Sequence, residues 1–145
     1  MHVSDILAAK RGEQVHTVRP DESIGNLVQR LRLERIGALV VSEQGNTVDG
    51  IISERDVAHG LAEHGADVLN RKVRDLMTGA VTTCPPGETL AHVAKLMTHR
   101  RIRHIPIVEG KKLVGIVSIG DVVRYRLDEL ELEQSVLRDY AVARQ

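Results

Sequence analysis

Two short segments hold the residues whose types and spacing can do chemistry. Gly50-Ile51-Ile52-Ser53-Glu54-Arg55-Asp56 and Gly115-Ile116-Val117-Ser118-Ile119-Gly120-Asp121 each pass from apolar, mostly β-branched residues into a Ser, with an Asp three positions later. Such a run reads as a strand turning into a helix, with Ser and Asp at the helix opening. Free amide donors and the positive end of the helix dipole favour an anion there. The hydroxyl of Ser53 or Ser118 can donate to a phosphate, and the short carboxylate of Asp56 or Asp121 can accept from both hydroxyls of a ribose diol. Gly120 leaves room for close approach, and Arg55 is a phosphate partner in the first segment with Glu54 as its local counterweight. The competing reading is that Ser and Asp merely cap their helices. Occurrence of the pattern twice in one chain favours ligand contact.

Both segments sit inside a longer internal repeat. Val3-Ser4-Asp5-Ile6-Leu7 returns as Val73-Arg74-Asp75-Leu76-Met77, and Thr17-Val18-Arg19-Pro20 as Thr83-Cys84-Pro85-Pro86. Ile24, Leu27, Val28 and Leu31 return as Leu90, Val93, Ala94 and Met97, each set at helical spacing. The periodicity predicts helices near 22–34 and 88–100. Hairpins follow, from Ala38–Val41 and Val48–Ile52 around Glu43-Gln44-Gly45-Asn46, and from Ile105–Val108 and Leu113–Val117 around Glu109-Gly110-Lys111-Lys112. A helix is expected from about Glu54 to Glu63, and another from about Gly120 to about Val142.

The unit is strand, helix, strand, strand, helix, which gives an α/β (α+β) chain of two βαββα repeats packed pseudo-symmetrically. The expected boundaries are 1–64 and 73–127 for the repeats, 65–72 for the linker and 128–145 for a C-terminal helical extension. A unit of about 60 residues buries too little surface to be stable alone, so the two should pack together. Clefts created by that pairing are natural small-ligand sites.

The motifs TVRP and TCPP, RIGALVV and RIRHIPIV, GIISERD and GIVSIGD, three in order and twice over, resemble a tandem pair of cystathionine beta-synthase (CBS) domains, the Bateman module. The resemblance runs from Val3 to about Leu127. It implies regulatory binding of an adenosine nucleotide in the inter-domain cleft (AMP, ADP, ATP or NAD(H)) without catalysis, and association of modules into a homodimer. By the same resemblance, backbone groups of Gly37 and Ala38, or of Arg103, His104 and Ile105, read the purine edge. Thr17 or Thr83 lines its face, and Pro106 belongs to an apolar slot. For Ile105 and Val40 taken singly, ordinary strand core is the better account. Arg103 and His104 are favoured as phosphate neighbours within the basic run His99–His104, which otherwise reads as a solvated face. The first half has Gly37 and Ala38 there, so the two sites are expected to differ in ligand or strength.

Composition narrows the alternatives. Lys plus Arg equals Asp plus Glu at 20 each, Phe and Trp are absent and Tyr occurs twice. Nucleic acid therefore finds neither a basic field nor aromatic stacking platforms. The single cysteine, Cys84, excludes an intrachain disulfide and fits a reducing, cytoplasmic setting. No apolar stretch resembles a signal peptide or membrane span. The histidines lack metal-site spacing, and neither a Walker loop nor a nucleophile elbow is present, so enzyme activity is not expected.

After Asp121, the positions Val123, Leu127, Leu130, Gln134, Leu137 and Ala141 recur at spacings of four and three. They form a seam for a partner helix, hence the expected homodimer, or else pack back on their own module. The functional alternative to a nucleotide sensor is an interaction module with vestigial clefts, serving an unknown regulated protein.

Overall fold

The structure, a computed structural model, describes residues 1–11 and 15–144. The chain divides into two compact units. One comprises Met1–Glu13, Cys84–Ile105 and Ile116–Gln145; the other comprises Gln14–Thr83 and Pro106–Gly115.

The second of these units is built on the first repeat. Helix α1 (Val3–Ala9) belongs to the other unit, and strand β1 (Thr17–Val18) begins this one. Helix α2 (Ile24–Glu34) opens at Ser23, whose side chain accepts from the Asn26 amide, and ends at Arg35 in the left-handed conformation (φ 54). Strands β2 (Ala38–Val41) and β3 (Gly50–Ser53) form the predicted hairpin, with Ala38 opposite Ser53 and Val41 opposite Gly50. β1 joins β2 in parallel, so the sheet order is β1-β2-β3. In the hairpin loop, Ser42 Oγ accepts from the amides of Gly45 and Thr47. Gly45 there adopts a φ of +90, which its missing Cβ allows.

Helix α3 (Glu54–His64) continues directly from β3. A 3₁₀ segment, Gly65–Asn70, follows it and carries the buried Val68, and helix α4 (Val73–Leu76) comes next. Val68 and Val73 join Val18, Ile24, Leu27, Leu31, Leu39, Val41 and Ile52 in one aliphatic core. Four-residue α4 holds its place by backbone bonds: Val73 N–H donates to Glu22 O (2.8 Å) and Arg74 N–H to Pro20 O (2.9 Å).

The other unit repeats the scheme around the second repeat. Here α1 occupies the role of α4, with Val3 N–H donating to Glu88 O and Ser4 N–H to Pro86 O, both at 2.9 Å. The repeated leading segments are thus exchanged: the one that opens the chain serves the second repeat, and the one after Lys72 serves the first. Helix α5 (Leu90–Arg100) opens at Thr89 and ends at Arg101, again left-handed at φ 54. Strands β4 (His104–Glu109) and β5 (Lys112–Ser118) form a hairpin, of which Pro106–Gly115 is counted with the first repeat's unit. Helix α6 (Ile119–Ala143) follows without a break.

The predicted strand preceding α5 contracts to a single bridged residue, Cys84. Pro85 and Pro86 remove the amide donors that would extend it, whereas the first repeat has only Pro20 at this turn. The suggestion that the seam of α6 packs back on its own module does not hold, since every described residue from Leu130 to Arg144 is exposed.

Candidate functional site

The second junction is the more elaborate. At the end of β5, Ser118 and Asp121 form a reciprocal capping box. The Asp121 amide donates to Ser118 Oγ (3.1 Å) and the Ser118 amide donates to Asp121 Oδ2 (3.0 Å). Lys10, just past α1, donates from Nζ to the same Oδ2 at 2.6 Å and to Ile116 O at 3.4 Å. Asp121 is 8% exposed, an unusual burial for a carboxylate, and the ammonium supplies the compensation it requires. Burial pushes the carboxyl upward. The Lys10 hydrogen bond, the Ser118 amide and the Lys10 charge outweigh it and hold Asp121 below the ordinary aspartate range.

The first junction has the same frame. The Asp56 amide donates to Ser53 Oγ (3.3 Å), and Ser53 donates to Asp56 Oδ2 from its amide (2.8 Å) and its hydroxyl (3.1 Å). In each repeat the first helical amide also reaches back to the start of the middle strand. Glu54 N–H donates to Gly37 O (3.0 Å), and Ile119 N–H to Arg103 O (2.8 Å). These bonds gather Gly37, Ala38, Ser53 and Asp56 in one unit, and Arg103 with Ser118 and Asp121 in the other. At both sites the cap bonds from the Ser amide fall on Oδ2 of the aspartate.

The remaining residues singled out from sequence are distributed as follows. Thr17 lies on β1 opposite Val40, partly buried, and its carbonyl accepts from Arg30 Nη1 at 2.7 Å. Thr83 is exposed and outside any strand, and Arg55 and Arg103 are exposed. His104 is half-buried, and Ile105 and Pro106 are buried. At Gly120 an added Cβ would meet only Ser118 Oγ at 3.6 Å, an ordinary contact. The protein's own packing therefore does not require glycine there. Sequence reasoning missed Lys10. Its partner lies 111 positions away, and only the pairing of the leading segment with the opposite repeat brings it to Asp121. Among the described residues no cluster of His, Cys, Asp and Glu is arranged to hold a metal ion. No described helix is long and apolar enough to cross a membrane.

Two repeats, each with a Ser-Asp box at its last strand-to-helix junction, define a tandem duplicated-domain architecture. The CBS domain model matches residues 3–63 and again 73–128, and the chain belongs to the CBS-domain family as a tandem pair. It is 36% identical over 124 residues to the mitochondrial CBS domain-containing protein CBSX3 of Arabidopsis thaliana, covering 83% of this chain but 60% of that protein. It is 33% identical over 109 residues to YhcV of Bacillus subtilis, covering 75% and 76% of the two chains. The crystal structure of the CBS-domain protein ATU1752 from Agrobacterium tumefaciens superposes with a TM-score of 0.82 at 41% identity, over 87% of this chain and 99% of that one. The CBS domain pair of protein MJ0100, solved with 5'-methylthioadenosine and S-adenosyl-L-methionine, superposes with a TM-score of 0.77 at 27% identity, over 89% and 98%.

Proposed function

We propose that this CBS pair is a regulatory module that binds an adenosine nucleotide (AMP, ADP, ATP or NAD(H)) at its strand-to-helix junctions and has no catalysis of its own. The observation that carries the reading is the juxtaposition at the second junction of a buried carboxylate, a helix start and the Lys10 ammonium. Asp121 Oδ1 accepts from the ribose hydroxyls, while Lys10 and the Ser118 hydroxyl face the anion. The adenosyl ligands of the related MJ0100 pair support the ligand class. Arg103 and His104 extend the same basic environment; Thr17, Thr83 and the backbone at Gly37, Ala38 and Ile105 are assigned to the purine, and Pro106 to its apolar slot. The first junction, with Ser53, Arg55 and Asp56 but no lysine shown on its aspartate, is the weaker of the two. Binding signals only if the ligand's affinity differs between two states of the module. The reduced, buried Cys84 suits a cytoplasmic setting.

Calorimetry with each nucleotide is the test. Binding that falls at least tenfold on Asp121→Ala is expected. Failure of all four nucleotides to bind, or unchanged affinity in the variant, rejects the assignment.

A second reading is favoured by the capping boxes themselves, which satisfy Ser53, Asp56, Ser118 and Asp121 without a ligand. On that reading the sites are vestigial and the chain serves as an interaction module. Its sign is regulation of a partner that survives replacement of both aspartates.

A further inference from the structure

We propose that α6 is an association arm through which two copies of this chain pair as a parallel, two-stranded coiled coil. The proposal stands apart from the nucleotide reading. Leu127, Leu130 and Leu137 are 53%, 50% and 68% exposed on one helix, and exposed apolar residues grouped in this way mark an interaction surface. Spacings of four and three assign Leu127, Gln134 and Ala141 to position a of a heptad, and Val123, Leu130 and Leu137 to position d. Exposed Leu132 and Val136 lie off this seam. A seam drawn through them would place Glu129 and Asp139 at its centre.

The flanking charges select both the partner and its direction. Arg126 and Glu133 occupy g positions; Arg124, Glu131 and Arg138 occupy e positions. In a parallel pair each g residue faces the e residue of the next heptad on the other helix. Arg126 then meets Glu131 of the second copy and Glu133 meets Arg138, and symmetry supplies each pair twice. Arg126 already binds Glu129 of its own helix at 3.0 Å, so the Glu133–Arg138 pairs are the cleaner contribution. The antiparallel register that best overlaps the leucines sets Glu133 against Glu133, Glu131 against Glu131 and Arg124 against Arg138. It also sets the polar Gln134 against Leu130. Only the parallel arrangement lets the Gln134 amide meet its own copy, the polar-layer device that fixes register in two-stranded coils. Both junctions bearing Asp121 then lie at the same end of the paired helices.

Sedimentation of the full chain at tens of micromolar, with cysteine cross-linking, tests this. The wild type, whose Cys84 is buried, is the cross-linking control. A dimer is expected, with Leu137→Cys closing a disulfide to its own copy under mild oxidation. At low salt Glu133→Arg should raise the dissociation constant about fivefold, and adding Arg138→Glu should restore it. These positions are solvent-exposed, so unchanged circular dichroism separates lost association from lost folding. A monomer at these concentrations overturns the proposal. So does a dimer indifferent to Glu133→Arg, or a cross-link that forms only when Leu127→Cys and Leu137→Cys chains are mixed, the mark of antiparallel pairing.

Discussion

At the first junction Asp56 bonds within the box that opens its own helix, and at the second Asp121 does the same and also binds Lys10, delivered by a helix from the opposite end of the chain. The frames are otherwise alike, down to the backbone bonds from Glu54 to Gly37 and from Ile119 to Arg103. By the offset of the leading segments, the counterpart of Lys10 is Ala80; by the offset of the junctions, the counterpart of Gly120 is Arg55. Duplication has kept the cap, which the fold needs, and has varied the charge around it. The first junction carries its cation on the adjoining helix, exposed, and the second imports one to a buried carboxylate. On the function proposed above, a fixed scaffold with variable surroundings would give one chain two sites of unequal strength.

The largest consequence should be in stability. Asp121→Ala removes a cap and strands Lys10 beside the vacated site, whereas Asp56→Ala removes a cap alone. Urea unfolding followed by circular dichroism should show a loss of about 2–3 kcal/mol for Asp121→Ala and about 1 kcal/mol for Asp56→Ala. Equal losses would mean that the lysine contributes nothing and that the junctions are energetically the same.

The helices that leave the two junctions differ as well. Gly60 of α3 is buried, and a Cβ there would run into Leu76 Cδ2 and lie 3.0 Å from Val68 Cγ2. The corresponding residue of α6 is Tyr125, half-buried. Gly60→Ala therefore overpacks the first repeat's unit. The gain in helix propensity, about 1 kcal/mol, only partly offsets the strain, and a net loss of about 1–2 kcal/mol is expected. A stabilised variant would show that α3 stands off the 3₁₀ segment and α4.

The scaffold was legible from the sequence because its signals are local. Apolar residues at helical spacing gave α2 and α5 to within two residues at their starts. The β-branched runs around turn-forming tetrads gave both hairpins, and Ser-x-x-Asp gave both helix openings. The short helices α1 and α4 were visible as a repeated pentapeptide, but not as elements exchanged between the repeats, because four to seven residues carry too little periodicity to declare what they pack against. Lys10 was hidden for the same reason. One lysine near the start of a chain resembles any surface lysine until long-range contacts place it on a carboxylate. The exposed arm of α6 was legible as a seam; that Leu137 is left exposed among the described residues was not, since periodicity marks an apolar face without saying what it meets.

Acid sharpens the contrast between the junctions. Because Asp121 is held below its ordinary value of 3.8, the unfolded chain binds the proton more readily than the folded one. The resulting stabilisation is complete above that value and is lost as pH falls through the lower folded value. Lys10→Met removes the lysine hydrogen bond and charge that oppose burial, so the Asp121 carboxyl should move up. The acid unfolding midpoint of the variant should then lie at higher pH than that of the wild type, with about 1–3 kcal/mol lost near neutrality. Coincident acid transitions would dissociate Lys10 from the titration.

The smallest change separates ligand contact from capping. Gly120 sits in the first turn of α6 with only Ser118 Oγ near its missing Cβ, so Gly120→Ala should leave stability unchanged or raise it by about 0.5–1 kcal/mol. A methyl group there nevertheless fills the space through which a ligand would approach the helix amides. If the junction binds nucleotide, the variant should unfold no earlier than wild type yet bind at least several-fold more weakly by calorimetry. Asp56→Ala, by contrast, should cost stability while sparing the second site. Gly120→Ala with full affinity would place the ligand away from this helix start, because a cap and a binding site sharing the same two residues are told apart only by a change that touches one of them.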